Sequence, residues 1–264
     1  MIIYKSSEEI NKIKESNQIV GKVLSELKKM IEPGITTKEL DEYAEKRALE
    51  EGSRPAFKGY RGYPASLCTS VNEEIVHGIP SSRKLKNGDI ISLDFGVEYQ
   101  GLYGDAAFTC QVGEVSEEAK QLIKVAEESF YRGFEAIKTG KRLSDVSHAI
   151  QVHVESFGFS VIRSFVGHGI GYSLHEDPQI PNFGAPGHGP VLKPGMVLAI
   201  EPMISMGDWQ VEILGDDWTA ITRDKSLSAH YEHTLAITEN GPIILSQVEA
   251  EQLSAKETKE LPNA

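Results

Sequence analysis

Residues 88–109, GDIISLDFGVEYQGLYGDAAFT, carry two aspartates, Asp94 and Asp105, each set among apolar residues. The apolar run 90–95, turn chemistry at Tyr99-Gln100-Gly101 and at Gly104, and a second apolar run from Ala106 predict a β-hairpin. If the chain turns about the midpoint of Tyr99 and Gln100, Asp94 and Asp105 stand directly opposite one another on one face. Like charges so placed repel each other, and a cation is the simplest way to hold both ionised. A solvated acidic hairpin is the alternative, and the hairpin alone leaves the two readings level.

Other acids and histidines in apolar strands or glycine-rich turns extend the set to His77, His168, His175, Glu201 and Glu232. His168 sits in Val166-Gly-His-Gly-Ile-Gly171, which has the glycines of a dinucleotide fingerprint but no helix after it, because Asp177-Pro178 and Pro181 forbid one. The glycines there are expected to let backbone approach something held by His168. His148 and His153 fall on a polar helix face and His188 in a Gly/Pro loop, so all three read as solvated. His230 and His233 flank Glu232 and are expected to face away from it as structural histidines. Four carboxylates (Asp94, Asp105, Glu201, Glu232) and one imidazole (His168) suit manganese, iron(II) or cobalt better than a thiolate site would. Two divalent cations balance the four carboxylate charges, and such pairs hydrolyse amides or phosphoesters by acidifying a shared water.

The elements that must position these groups follow from capping and periodicity. Ser6-Ser7 with Glu8-Glu9 starts a helix that Pro33-Gly34 stops, and Thr36-Thr37 caps a second ending at Gly52. Short strands are expected over 66–71 and 74–76, then the hairpin. Ser116 caps a long helix towards Ile137, and a shorter one runs over 143–157 to Gly158. Strands over 211–214 and 218–222 precede the last clear strand, 231–238. The two halves align. Ile31-Glu-Pro-Gly34, Leu40, Ala44 and Gly52 match Ile137-Lys-Thr-Gly140, Val146, Ile150 and Gly158 at a shift of 106, and residues 86–94 match 193–201 at a shift of 107, with Asp94 and Glu201 each closing an apolar strand. One domain, residues 1–247, is expected from two related helix-helix-strand halves with the site where they meet, followed by a polar tail, 248–264.

Composition narrows the class. The chain has 264 residues, 40% of them hydrophobic, with no apolar stretch near the ~20 residues of a membrane span, and no cleavable leader is expected. A cytoplasmic location is expected. Two cysteines, Cys68 and Cys110, form no disulfide framework. The formal charge of −12 opposes direct nucleic-acid binding.

The series His77, Asp94, Asp105, His168, His175, Glu201, Glu232, in the contexts NEEIVHGIP, SLDFGVEYQGLYGDAAFT, GHGIGYSLHEDP, AIEPMI and SAHYEHT, resembles the bacterial type I methionine aminopeptidases from about Ile10 to Gly241. The resemblance implies the α+β pita-bread fold and removal of the initiator methionine from nascent chains whose next residue is small. It implies two divalent ions, among which cobalt, manganese, iron(II), zinc and nickel stay open. Asp94 would hold one ion, Asp105 and Glu232 would bridge both, and His168 with Glu201 would complete the other; Glu201 would also handle the proton of the bridging water. His77 would contact the scissile amide nitrogen and His175 the developing oxyanion. Tyr60, Tyr63, Cys68 and Trp218 would form the methionine cup, with Phe57 and Leu174 departing from a common version of the pattern. A monovalent cation near Asn72 and Ser228, ribosome association through a patch such as Lys22, Lys28 and Lys29, and a monomer complete the expectation. The rival within the fold is a prolidase or Xaa-Pro aminopeptidase, which usually carries a further N-terminal domain. A binding module that has lost catalysis is disfavoured by the filled ligand positions.

Overall fold

The computed structural model describes residues 1–247; the expected polar tail, 248–264, lies outside them. Helix α1 (Ser7–Met30) begins where the Ser6 hydroxyl accepts the Glu9 amide while the Glu9 carboxylate accepts the Ser6 amide, a reciprocal cap that satisfies two otherwise orphaned donors. Thr36 and Glu39 repeat the device for α2 (Thr37–Glu50). Short β1 (Arg54–Pro55), β2 (Cys68–Val71) and β3 (Glu74–Val76) lead to the long hairpin of β4 (Ile90–Tyr99) and β5 (Leu102–Gln111). The second half runs α3 (Glu117–Ala136), α4 (Leu143–Ser156), β6 (Ser160–Val161), β7 (Gly167–Gly169), β8 (Glu176–Ile180), β9 (Val197–Ile200), β10 (Met203–Ser205), β11 (Val211–Ile213), β12 (Ala220–Thr222), β13 (Ser228–His230), β14 (Glu232–Thr238) and β15 (Gly241–Ile244). The last of these follows the strand expected to be final, and it pairs back onto β14.

The main sheet orders β1-β4-β5-β14-β9-β7-β8, with all its pairings antiparallel, so the halves join at β5 and β14. Ala106 and Ala107 face His233 and Glu232 across that seam. The duplication read from sequence extends to hydrogen bonds. Gly34 donates to Leu85 O and Gly140 to Leu192 O; Thr37 donates to Arg83 O and Leu143 to Pro190 O. The helix-ending residues Ile31 (φ −72°, ψ 109°) and Ile137 (φ −70°, ψ 106°) have nearly the same backbone. One difference is local: β4 runs on through Asp94 to Tyr99, whereas Pro202, which lacks an N–H for the ladder, breaks the matching strand after Glu201 into β9 and β10.

Strand alternation sorts the side chains. Leu93, Phe95 and Val97 pack with the apolar faces of α1 and α2, and Leu198, Ile200 and Leu235 with α3 and α4. Both helix pairs thus cover one face, and the even positions of β4 and β14 look to the other. The hairpin corrects the expected register. It turns on Gln100 (φ 53°) and Gly101 (φ 81°), the two positive φ values of a two-residue type I′ turn. Tyr99 therefore faces Leu102, Asp94 faces Ala107, and Asp105 faces Gly96. Asp94 and Asp105 still share a face, but as diagonal neighbours rather than a directly opposed pair.

Gly104 lets α1 touch the hairpin beside Asp105: a Cβ there would lie 2.8 Å from Asn17 N and 2.9 Å from Ser16 C. Asn17 Oδ1 accepts the Asp105 amide, and Ser16 Oγ donates to Leu102 O. Gly104→Ala should therefore lower stability by about 1–3 kcal/mol through forced backbone displacement. Gly215→Ala, with nothing within 4 Å of the new atom, should stay within about 0.5 kcal/mol. Urea unfolding midpoints compare them, and equal midpoints would remove the close-approach explanation.

Candidate metal centre and substrate pocket

All of the expected site residues, His77, Asp94, Asp105, His168, His175, Glu201, Glu232, Tyr60, Tyr63, Cys68 and Trp218, line one cavity on the sheet face away from the helices. Asp94 and Asp105 come from the hairpin, Glu201 from the break after β9, Glu232 from the start of β14 and His168 from the middle of β7. Possible ligand atoms of Asp105, His168 and Glu232 lie within 4.8 Å of one another, and His168 Nε2 is 3.5 Å from Glu201 Oε1. Backbone pins hold the set. Thr234 Oγ1 donates to Asp105 O at 2.8 Å and Asn182 Nδ2 to Glu201 O at 2.9 Å.

The carboxyl oxygens Asp94 Oδ1, Asp105 Oδ1 and Glu232 Oε1 are enclosed without a hydrogen-bond partner. Enclosed, unpartnered carboxyls of this kind are what a bound cation satisfies. Without one, burial pushes Asp94 up to about 7. Asp105, Glu201 and Glu232 are pushed well above the usual carboxylate range, by burial first and then by carboxylate charge, that of Asp94 on Asp105 and Glu201 and that of Asp105 on Glu232. The histidines shift the other way: burial holds His77 and His168 at about 4, and burial with neighbouring His168, Arg61 and His77 holds His175 at about 3. His168 Nδ1 lies 2.9 Å from Gly169 O. That bond makes Nδ1 the protonated nitrogen and leaves the Nε2 lone pair facing the carboxylates, the orientation a metal-ligating imidazole needs. Acceptors and a neutral imidazole converging in this way fit a hard or borderline divalent ion.

The pocket walls are apolar. Tyr63 meets Trp218 edge-on at 5.1 Å and its hydroxyl donates to Gly78 O. Cys68 faces Asp94 across β2 and β4, and its thiol is pushed well above its usual value by burial and then by Asp94, so it is a soft apolar contact and not a thiolate. Phe57 closes over Gly96, where a Cβ would come within 2.8 Å of its ring. Leu174 also lines the cavity. His77 stands at φ 62°, a left-handed conformation unusual outside glycine, with Phe165 and Trp218 edge-on to its ring. His175 stacks on Tyr60 at 5.3 Å and lies 4.2 Å from the His168 ring. Its loop is tied down by Glu176, whose carboxylate accepts the Tyr172 and Ser173 amides and pairs with Lys5, side chains 5% and 1% exposed.

Two lining residues escape the sequence reading. Val76 carries no chemical signal. Arg61, at φ 50° between Gly59 and Gly62, lies 5.3 Å over the Tyr60 ring; the Gly-x-x-Gly frame is the sign that could have marked it. His230 corrects an expectation. Two residues from Glu232, strand alternation puts it on the same side, and its Nε2 is 3.9 Å from Glu201 Oε2. His233 does face away, with Nδ1 2.7 Å from Ser246 Oγ and its ring against Phe130.

The profile of metallopeptidase family M24 matches residues 11–239. The chain is 54% identical over 248 residues to methionine aminopeptidase 1 of Bacillus subtilis, covering 94% of this chain and 100% of the relative. It is likewise 54% identical over 250 residues to the methionine aminopeptidase of Clostridium acetobutylicum. The crystal structure of methionine aminopeptidase from Thermotoga maritima superposes with a TM-score of 0.92 at 52% identity, covering 94% of this chain and 100% of that one. Prolidase from Pyrococcus furiosus shares the pita-bread fold at a TM-score of 0.77 but only 25% identity, and this chain covers 66% of it. The weaker and partial match to the prolidase disfavours the Xaa-Pro reading. With the family profile matched along most of its length and identity above one half to its relatives, the chain belongs to metallopeptidase family M24 and, within it, to the methionine aminopeptidases.

Proposed function

We propose that the cavity removes the N-terminal methionine of nascent polypeptides whose second residue is small, with each residue in the role its surroundings suit. The observation that carries the reading is the convergence of Asp105, His168 and Glu232 within 4.8 Å beside the apolar cup of Tyr63, Cys68 and Trp218. Asp94 would hold one divalent ion, His168 and Glu201 the second, and Asp105 with Glu232 both. Divalent cations there would supply Lewis acidity, which acidifies a water towards neutral pH. Glu201, whose carboxylate lies beside His168 in the cavity, is suited to take a proton from that water and pass it to the leaving amine. His175, neutral and held by Tyr60 and the Glu176-anchored loop, is positioned to donate an N–H to the developing oxyanion. His77 is placed to contact the scissile nitrogen. The methionine thioether fits the cup beside the protonated Cys68 thiol.

Which ion works in the cell is set by supply as well as affinity, with manganese, iron(II) and cobalt favoured by the donor set. The monovalent cation belongs to the same proposal: Ser228 donates its amide to Asn72 O at 2.9 Å, so the two residues adjoin. Nascent chains as substrate place the enzyme in the cytoplasm, and among the described residues no helix is long and apolar enough to cross a membrane. Of the lysines proposed to face a ribosome, Lys22 is paired with Glu51 at 2.6 Å.

Asp94→Asn and Glu232→Gln should each abolish metal-dependent release of methionine from a Met-Gly peptide while unfolding stays cooperative. Undiminished turnover in either would sink the assignment. His77→Ala and His175→Ala should slow turnover about 10²–10³-fold with metal content retained, and loss of bound metal in either would reassign that residue as a ligand. The pH dependence of stability has a definite sign. Below pH about 6.5 the depressed histidines lose their contribution as pH falls towards 4, opposing the carboxyls. From that pH up to the ordinary thiol range the carboxyls dominate, and the raised thiols of Cys68 and Cys110 act in the same direction above it. The folded-state pKa values of the carboxyls are raised, so the native apo-protein holds protons that the unfolded chain has released, and its stability falls as pH rises through about 7 and beyond. Chelator-treated protein should lose melting temperature from pH 7 to 9, whereas manganese-saturated protein should not. Parallel curves would mean the carboxyl cluster is not the metal site.

A further inference from the structure

The internal duplication assigns a residue that the proposed roles leave unused. In β4 and β5, Gly96 faces Asp105, Val97 faces Gly104 and Glu98 faces Tyr103. In β10 and β13, Met203 faces His230, Ile204 faces Ala229 and Ser205 faces Ser228. The neighbouring edge repeats the match, with Pro55 facing Val97 in one half and Val161 facing Ile204 in the other. The correspondence that carries Asp94 onto Glu201 therefore carries Asp105 onto His230. One half has an acid beside an acid; the other has an imidazole beside an acid.

His230 is 1% exposed, and neither ring nitrogen has a hydrogen-bond partner. Nε2 points towards Glu201 Oε2 at 3.9 Å, on the opposite carboxylate oxygen from the one that His168 Nε2 approaches at 3.5 Å. The backbone behind the ring is fixed: the His230 amide donates to Thr109 Oγ1 and Thr109 Oγ1 donates back to His230 O, both at 2.8 Å. A neutral imidazole there donates one N–H without adding charge. A buried polar ring with no partner in a fixed strand is costly unless it serves a neighbour. A shift of about 1 Å brings Nε2 and Oε2 into hydrogen-bonding range, and carboxylates that ligate metals are characteristically held by such donors.

We infer that His230 is the positioning residue for Glu201, donating from Nε2 to Oε2 so that the carboxylate presents its other oxygen to the metal beside His168. The inference rests on Glu201 being a ligand. It has three consequences. Removing the ring nitrogens weakens metal binding, lowers kcat at saturating metal while KM for the peptide is unchanged, and leaves the apo-fold no less stable, because no bond is lost there.

The test titrates chelator-treated protein with manganese by calorimetry and measures Met-Gly-peptide turnover and apo-protein melting for wild type, His230→Leu, His230→Phe, His230→Gln and Glu201→Gln. His230→Leu and His230→Phe should bind manganese about 10–100-fold more weakly, with lowered kcat, unchanged KM and an apo melting temperature equal to or above wild type. His230→Gln, which restores an uncharged N–H, should recover affinity to within a few-fold. The two apolar variants guard against one of them misfolding. Wild-type affinity in His230→Leu and His230→Phe alongside weakened binding in Glu201→Gln overturns the positioning role alone. Wild-type affinity in Glu201→Gln overturns the ligand assignment and the inference with it. A His230→Gln variant as impaired as His230→Leu, or a fall in apo stability matching the loss of affinity, shows the ring to be structural and overturns the inference too.

Discussion

Burying four carboxylates in one cavity is the constraint on which the rest of the molecule depends. Asp105, Glu201 and Glu232 are buried, Asp94 has an enclosed unpartnered oxygen, and burial together with the Asp94 charge raises the proton affinity of the other three. Left to themselves such groups would separate or take up protons. They stay together because each is carried by backbone already committed elsewhere. The hairpin ladder holds Asp94 and Asp105 on one face, the β5–β14 seam sets Glu232 beside Ala107, and Asn182 grips the carbonyl of Glu201. Repulsion in the site is thus borne by main-chain pairing and by the helix layers packed on the far side of the sheet.

The duplicated architecture explains how one small site acquires unlike components. Two halves with the same helix endings and matching strand pairings bring equivalent positions to a common seam. Where both copies keep an acid, at Asp94 and Glu201, the result is a pair of facing carboxylates. Where they have diverged, at Asp105 and His230, one copy contributes charge and the other a neutral ring. The break at Pro202 is part of this divergence, since it separates Glu201 from the strand that would otherwise continue past it as β4 continues past Asp94.

The walls follow a second rule, that, Arg61 apart, aromatic and neutral polar groups surround the charges without adding to them. His77, His168 and His175 are kept uncharged by burial, and the Tyr60 and Trp218 rings pack against His175 and His77, with Tyr63 edge-on to Trp218. Lys5 and Glu176 form a buried ion pair behind the His175 loop, which Glu176 also ties down by accepting the Tyr172 and Ser173 amides.

Local sequence determined the helices, because Ser6, Thr36 and Ser116 are caps that act within one turn, and it determined which acids and histidines stand in apolar or glycine-rich surroundings. The repeat at a shift of 106–107 also revealed the two halves, since capping and strand periodicity are short-range and survive duplication. Register and the joining of halves were decided only by tertiary structure. The two-residue turn at Gln100-Gly101 moved Asp105 from opposite Asp94 to opposite Gly96, a choice between neighbouring turns that composition leaves open. The strand after Glu239 became visible only through its pairing with β14. His230 shows the limit most plainly: its identity and its spacing from Glu232 were in the sequence, but that its ring meets Glu201 depends on β10, β13 and β5 being brought together by contacts distant in the chain.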